Sequence, residues 1–159
     1  MKKQIAFIRA VINRCEEEAM DYKRGTKKQT SEPQNMALLA PPGTGKTFCI
    51  KLACQYFKEV FDWSPGVEFQ CAASQNRMSG RIGGNTLHSW GEVPIDVTAA
   101  ATQDTKKSKK TQGSMMYNKC ISLRWLIIDE VSTASLHLLG TLEKNLSKAT
   151  IAYYKCIFS

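Results

Sequence analysis

The sequence has no C-x-x-C pair, and it has no cysteine and histidine at the spacing of zinc ligands. Its six cysteines are Cys15, Cys49, Cys54, Cys71, Cys120 and Cys156. Structural zinc sites need closely spaced cysteine and histidine ligands, and disulfide scaffolds belong to small secreted chains dense in cysteine. We therefore predict neither a metal cluster nor disulfides, and we interpret the cysteines as small buried apolar residues of a reducing compartment.

Long apolar runs are also lacking. No stretch approaches the 18 or so residues that a membrane helix needs. The first residues, Met-Lys-Lys-Gln-Ile-Ala-Phe-Ile-Arg, have a basic start, but Arg9, Asn13 and Arg14 interrupt the apolar region that a signal peptide requires. We expect a soluble intracellular protein.

Acidic residues are in short supply, with 14 Asp and Glu against 22 Lys and Arg, a net charge of +8 and a pI near 9.2. Such a balance suits a polyanionic partner, although many basic proteins bind none. The 159 residues are enough for one domain, and the 43% hydrophobic content is ordinary for a folded protein.

Apolar spacing predicts an alternation of strands and helices. Helices are expected over roughly the first twenty residues, after position 47 and over Leu136–Leu146, and strands at Met36–Ala40, Val67–Ala73 and Leu123–Ile128. This order predicts an α/β fold with a parallel sheet flanked by helices. The polar stretch 91–118, repetitive in Ala, Thr, Ser and Lys, is expected to be a mobile insertion.

A phosphate-binding pattern, Ala40-Pro-Pro-Gly-Thr-Gly-Lys-Thr47, lies between the first predicted strand and a predicted helix. Gly43 and Gly45, with Thr44 between them, would let the backbone form an anion nest at the helix N-terminus. Lys46 would reach the β- and γ-phosphates of ATP, and the Thr47 hydroxyl would ligate Mg²⁺. Ala40 departs from the pattern, which normally begins with glycine. The alternative is a Gly-rich turn before an ordinary helix.

Two acids end the third predicted strand, in Leu126-Ile-Ile-Asp-Glu130. A P-loop ATPase needs a carboxylate for the Mg²⁺ hydration shell, and often a second to orient the attacking water. Asp129 fits the first role and Glu130 fits the second, as general base. Plain strand termination is the alternative.

Four segments together resemble a known family, the superfamily-one DNA helicases of the petite integration frequency group. Gln4 with Ala6-Phe7 resembles the family's glutamine motif, and Pro42–Thr47 resembles its phosphate loop. Ile82–Ser89 is similar to its "I-G-G-x-T-h-H-S" segment, and Leu126–Ser132 to its "L-I-I-D-E-h-S" segment. The Ile82–Ser89 segment is much more specific than the phosphate loop, which many ATPases share.

The resemblance implies a RecA-like P-loop domain of an ATP-dependent 5′ to 3′ DNA helicase, with ATP and Mg²⁺ as cofactors and mainly single-stranded DNA as partner. Gln4 would read adenine, and Thr86 and His88 would lie near DNA. Relatives of this kind act in DNA repair, recombination and telomere or genome maintenance. In a eukaryote they lie in the nucleus or the mitochondrion.

On this interpretation residues 1–20 are a helix with the glutamine motif, 21–35 a loop, 36–149 a partial ATPase domain and 150–159 a divergent tail. Gln75–Ser79 replaces the family's "T-G-x-A-A" segment, and the second motor domain does not follow. We therefore expect a first-domain fragment that does not unwind DNA alone.

Two other classes of protein remain open from the sequence. One is a non-enzymatic remnant or interaction protein that keeps the P-loop fold, and the other is an AAA-type ATPase, which leaves the Ile82–Ser89 segment unexplained. For His88 the alternative to a DNA contact is a hydrogen-bonded turn residue. Trp90 is interpreted as a core residue rather than a base-stacking surface, and the Lys106–Lys110 run is either a solvated loop or a weak phosphate contact.

Overall fold

The computed structural model describes residues 2–23, 35–94 and 115–158. Helices α1 to α5 span Lys2–Lys23, Lys46–Phe61, Asn76–Arg81, Leu87–Gly91 and Leu136–Phe158, and strands β1 to β3 span Phe69–Ala73, Asn85–Thr86 and Trp125–Asp129. A 3₁₀ turn covers Val131–Thr133, and residues 115–120 are helical. The chain divides into two compact units, Met1–Tyr56 and Phe57–Ser159.

In the first unit, α1 and the first part of α2 supply the buried apolar residues. Val11 and Cys15 of α1 are buried, as are Cys49, Ile50 and Ala53 of α2. The helical periodicity of the sequence is confirmed over α1, but Ile5, the first member of its predicted apolar face, is 54% exposed. The apolar face of α1 therefore begins further along the helix than the periodicity predicts.

The strand predicted over Met36–Ala40 is wrong. This segment carries no ladder of backbone hydrogen bonds, and its side chains alternate between exposed and half-buried. A strand is defined by a paired neighbour, and apolar content alone does not provide one. Met36–Leu39 instead lies along α1, where it lines an open groove with Lys3, Ala6 and Phe7.

The second unit contains a three-stranded parallel sheet in the order β2-β1-β3. The register pairs Phe69 with Trp125 and Ala73 with Asp129, so β1 and β3 end at the same level. All five β1 residues are buried, as a central parallel strand with elements on both faces requires. The predicted α/β class with a parallel sheet flanked by helices is therefore confirmed.

One hydrophobic cluster packs against this sheet. Its buried members are Ala72, Leu87, Trp90, Val93, Met116, Leu138, Leu142 and Ala149. The helix predicted over Leu136–Leu146 is confirmed as part of α5, but Leu136 is 89% exposed and Leu138 is buried in its place. Leu136 is the first residue of α5, before the helix reaches the sheet cluster.

The ends of the predicted mobile insertion are part of the fold. Gly91 belongs to α4, and Met116 is 2% exposed within the cluster that contains Trp90. Val93 and Met116 are the buried apolar side chains of this stretch among the described residues, and both belong to the cluster that α4 and α5 form on the sheet. The middle of the stretch, 95–114, with the Lys106–Lys110 run, lies outside the described residues.

Glycine is required at position 84 by close packing against β1. A Cβ atom at Gly84 would stand 2.1 Å from the carbonyl oxygen of Cys71. At Gly80, inside α3, a Cβ atom would meet nothing within 4 Å. The two glycines therefore differ sharply in their tolerance of a side chain, although both lie in the same short connection between β1 and β2.

We predict that Gly84→Ala lowers the free energy of unfolding by about 1–3 kcal/mol, because backbone of β1 must move. The matched change Gly80→Ala should raise it by up to about 1 kcal/mol, since alanine favours a helix. Urea unfolding followed by circular dichroism measures both. Equal effects of the two substitutions would contradict the close approach of residue 84 to β1.

Candidate functional site

The loop that precedes α2 turns through two left-handed glycines. Gly43 has φ +76° and Gly45 has φ +85°, a region that residues with a Cβ atom rarely adopt. Left-handed residues at alternate positions are typical of the backbone nests that bind anions. The two glycines singled out from the sequence therefore adopt the backbone conformation that the phosphate-loop pattern predicts.

Helix α2 begins directly after this turn, at Lys46. The first helical hydrogen bond runs from the Cys49 N–H to the Gly45 carbonyl at 3.1 Å. The N–H groups of the first helical turn have no partner within the helix, and together with the helix dipole they favour a negative charge. The loop and the helix N-terminus thus form one surface suited to an anion.

The Lys46 side chain folds back over the loop. Its Nζ donates hydrogen bonds to the carbonyl oxygens of Ala40 at 2.9 Å and Pro41 at 3.0 Å. Thr44 Oγ1 also donates to the Pro41 carbonyl, at 2.7 Å. An ammonium group held by two carbonyls can exchange them for phosphate oxygens, which bind it more strongly.

Gln4 joins this loop from α1. Its Nε2 donates a hydrogen bond of 2.7 Å to the Thr44 carbonyl oxygen. Its other amide atom, Oε1, is buried and has no hydrogen-bond partner. A buried acceptor without a partner is costly and therefore rare, and a bound ligand or water that donates to it is one way to satisfy it. The sequence indicated Gln4 as a base-reading residue, but it did not indicate the bond to Thr44.

Asp129 and Glu130 lie in the second unit, where β3 ends. Asp129 is 6% exposed, and its Oδ1 accepts a 2.9 Å hydrogen bond from the Glu130 N–H. Glu130 is half-buried and has φ +53°, a left-handed conformation. Polar groups at the carboxyl ends of parallel strands occupy the usual position of binding sites in α/β proteins. Both carboxylates thus stand at the edge of the sheet where the carboxyl ends of β1 and β3 meet.

Thr86 and His88 stand at the start of α4, after the short strand β2. Thr86 Oγ1 accepts a 3.1 Å hydrogen bond from the Ser89 N–H and caps the helix, so it has a structural role that the family motif did not imply. The His88 side chain is half-buried. Trp90 is 4% exposed within the hydrophobic cluster, which confirms its interpretation as a core residue.

Polar side chains from the following elements hold the end of α4. Lys119 Nζ donates to the Trp90 carbonyl and to Glu92 Oε1, each at 3.0 Å, and Asn145 Nδ2 donates to the Gly91 carbonyl at 2.8 Å. These bonds satisfy carbonyls that a helix end leaves without partners. They join positions up to 54 residues apart in sequence, so no local pattern could have predicted them.

The described cysteines are buried or half-buried. None of Cys15, Cys49, Cys54, Cys71 and Cys120 is in a disulfide. Burial raises the pKa of the Cys120 thiol; the Lys119 ammonium acts against this rise and the Glu92 carboxylate adds to it, so the nucleophilic thiolate is disfavoured. Among the described residues no group of His, Cys, Asp and Glu side chains forms a ready metal site, and no helix has the length and apolarity to span a membrane.

These features define a class of protein. A Gly-rich turn leads into a helix N-terminus with Lys46 over it, and a parallel α/β sheet ends in two carboxylates. They are the parts of a P-loop nucleotide-binding domain.

Comparison with known families agrees with this class. A family model described as an AAA domain matches residues 23–153, well over half of the chain. The chain therefore belongs to this AAA domain family, a P-loop, helicase-like family whose domain is found in superfamily-one helicases. The match supports nucleotide binding, and it does not single out the petite integration frequency group. Searches of curated proteins and of solved structures gave no significant match.

Proposed function

We propose that the chain is the ATP-binding and ATP-hydrolysing domain of an ATP-dependent DNA helicase of the petite integration frequency group. The observation that carries the proposal is the loop at 43–45, whose two left-handed glycines lead directly into the N-terminus of α2. The helicase assignment rests in addition on Ile82–Ser89 and Leu126–Ser132, which resemble the segments of that group.

The phosphate chain of the nucleotide would lie on the loop and the N-terminus of α2. Lys46 would leave the carbonyls of Ala40 and Pro41, to which it donates, and donate to the β- and γ-phosphates. Thr47, at the second position of α2, would offer its hydroxyl to Mg²⁺. The bound Mg²⁺ supplies positive charge against the charge that builds on the transferred phosphoryl group.

The two carboxylates at the end of β3 would have different roles, one toward the cation and one toward the attacking water. Asp129 is buried, with Oδ1 fixed by the Glu130 N–H, which suits a carboxylate that orders the hydration shell of a cation. Glu130 would accept a proton from the attacking water.

The nucleotide base would contact Gln4. The unpartnered Oε1 is a hydrogen-bond acceptor, and the 6-amino group of adenine is a donor. Beside Gln4 on α1, Ala6 and Phe7 line the groove that Met36–Leu39 completes, and its apolar walls suit an aromatic base. Guanine carries a carbonyl oxygen at the same position, which would face Oε1 as a second acceptor.

DNA would bind through the basic charge of the chain and through the start of α4. The net charge of +8 favours a phosphate backbone. Thr86 and His88 are the proposed contacts, and the Thr86 hydroxyl can still donate its hydrogen while its oxygen accepts from Ser89. The hydrogen bonds of Lys119 and Asn145 hold the end of this short helix.

The first prediction concerns phosphate binding. Lys46→Ala should weaken MgATP binding by at least about tenfold, because a charge-assisted hydrogen bond to phosphate is lost. Lys51→Ala, which removes an exposed lysine of the same helix, is the control and should bind as the wild type does. Isothermal titration calorimetry at millimolar nucleotide measures both. Equal binding by all three proteins would contradict the site.

The second prediction concerns base selectivity. The wild type should prefer ATP to GTP, and Gln4→Ala should reduce that preference by about three- to tenfold, the usual value of one hydrogen bond. The ratio of the two affinities is the measurement, because loss of the bond to Thr44 affects both nucleotides. Asn13→Ala, at an exposed position of α1, is the control. An unchanged ratio in Gln4→Ala would show that Gln4 does not read the base.

The third prediction concerns DNA. Fluorescence anisotropy with a short labelled single strand should show affinity that falls as salt rises, with log K against log salt sloping by about −0.7 for each neutralised phosphate. Neutralising the four lysines of 106–110 should flatten the slope. His88→Ala should weaken binding and leave the slope nearly unchanged, since a stacking or hydrogen-bonding side chain neutralises no phosphate. Absence of binding at low salt would contradict a DNA-binding role.

A further inference from the structure

The turn after β3 is held in an unusual backbone conformation. Glu130 has φ +53° and ψ +41°, in the left-handed region that a residue with a long side chain rarely adopts. It lies immediately after Asp129, and together they are the two acidic residues of the proposed site. Such a conformation persists only where the surrounding contacts impose it.

Three hydrogen bonds impose the conformation of Glu130. Its N–H donates to Asp129 Oδ1 at 2.9 Å. Its carbonyl oxygen accepts from the Thr133 N–H at 2.9 Å and from Thr133 Oγ1 at 2.7 Å. Thr133 therefore binds the Glu130 peptide with both its backbone and its side chain, and the Glu130 N–H in turn restricts the rotation of the Asp129 carboxylate.

Thr133 is also hydrogen-bonded to the residue that follows the neighbouring strand β1. Its hydroxyl forms a hydrogen bond with the hydroxyl of Ser74, the residue that follows β1. The register of the sheet pairs Ala73 with Asp129, so Ser74 stands level with Glu130. One hydroxyl pair thus connects the end of β1 to the turn that carries both carboxylates.

We propose that Ser74 and Thr133 are positioning residues for Asp129 and Glu130. Neither was indicated by the sequence motifs, and neither is assigned a role in the proposed function, on which this inference rests. Their hydroxyl pair fixes the Glu130 peptide, and through the Glu130 N–H it fixes the direction of the Asp129 carboxylate. A carboxylate fixed in this way would favour binding of the divalent cation that accompanies the nucleotide.

Four substitutions separate this role from simple packing. Thr133→Val keeps the shape of the side chain and removes the hydroxyl, whereas Thr133→Ser keeps the hydroxyl and should retain the wild-type behaviour. Ser74→Ala removes the other member of the pair. Thr150→Val is the matched control, because Thr150 Oγ1 makes the same kind of bond, to the Leu146 carbonyl, on an exposed part of α5.

The experiment measures ATP affinity with Mg²⁺ and with EDTA, and takes the ratio as the contribution of the cation. Thr133→Val and Ser74→Ala should reduce that ratio by about three- to tenfold, the value of one hydrogen bond. The ATP affinity measured in EDTA should change little. Amide hydrogen exchange should become faster at Glu130 and Thr133 in the same variants. Thr133→Ser and Thr150→Val should match the wild type in both measurements.

The other outcomes are also informative. If the wild type binds MgATP and all variants keep its ratio and its exchange rates, the positioning role is wrong and the proposed function stands. If the variants lose affinity equally with Mg²⁺ and with EDTA, the hydroxyl pair only supports the fold, and the proposal fails. If the wild type shows no nucleotide binding, the proposed function fails and this inference fails with it.

Discussion

The left-handed turn of the loop at 43–45 is the constraint on which the proposed chemistry depends. Only glycine adopts φ near +80° at low cost, and Gly43 and Gly45 do so immediately before Lys46 begins α2. A side chain at either position would strain the turn and change the direction in which the chain enters the helix. The proposed anion-binding surface depends on two residues that have no Cβ atom.

The parallel pairing of β1 and β3 has a comparable role in the second unit. Because Ala73 pairs with Asp129, the residues that follow the two strands, Ser74 and Glu130, reach the same edge of the sheet. The burial of β1 and the packing of α4 and α5 hold this edge in place. Local hydrogen bonds to Asp129 and Thr133 offset the cost of the left-handed Glu130, and the register places Ser74 where its hydroxyl bonds to that of Thr133.

Sequence patterns predicted the features that depend on periodicity and residue type along the chain. The α/β class, helix α2 after its Gly-rich turn and the burial of Trp90 all follow from periodicity and residue type. The features that the patterns missed depend on contacts between distant parts of the chain. Met36–Ala40 is apolar but unpaired, and the bond from Gln4 to Thr44 joins positions 40 residues apart. The conformation of Glu130 depends on Thr133, and no propensity of glutamate indicates it.

The central claim is that the loop at 41–47 binds the phosphates of a nucleotide. Amide hydrogen exchange of the intact chain, compared with and without MgATP, tests it most directly, because bound phosphate would accept from the backbone N–H groups of the loop. We expect slower exchange at Gly43, Thr44, Gly45 and Lys46, and no change across the exposed residues of α5. Equal exchange rates in the loop with and without saturating MgATP would contradict the account.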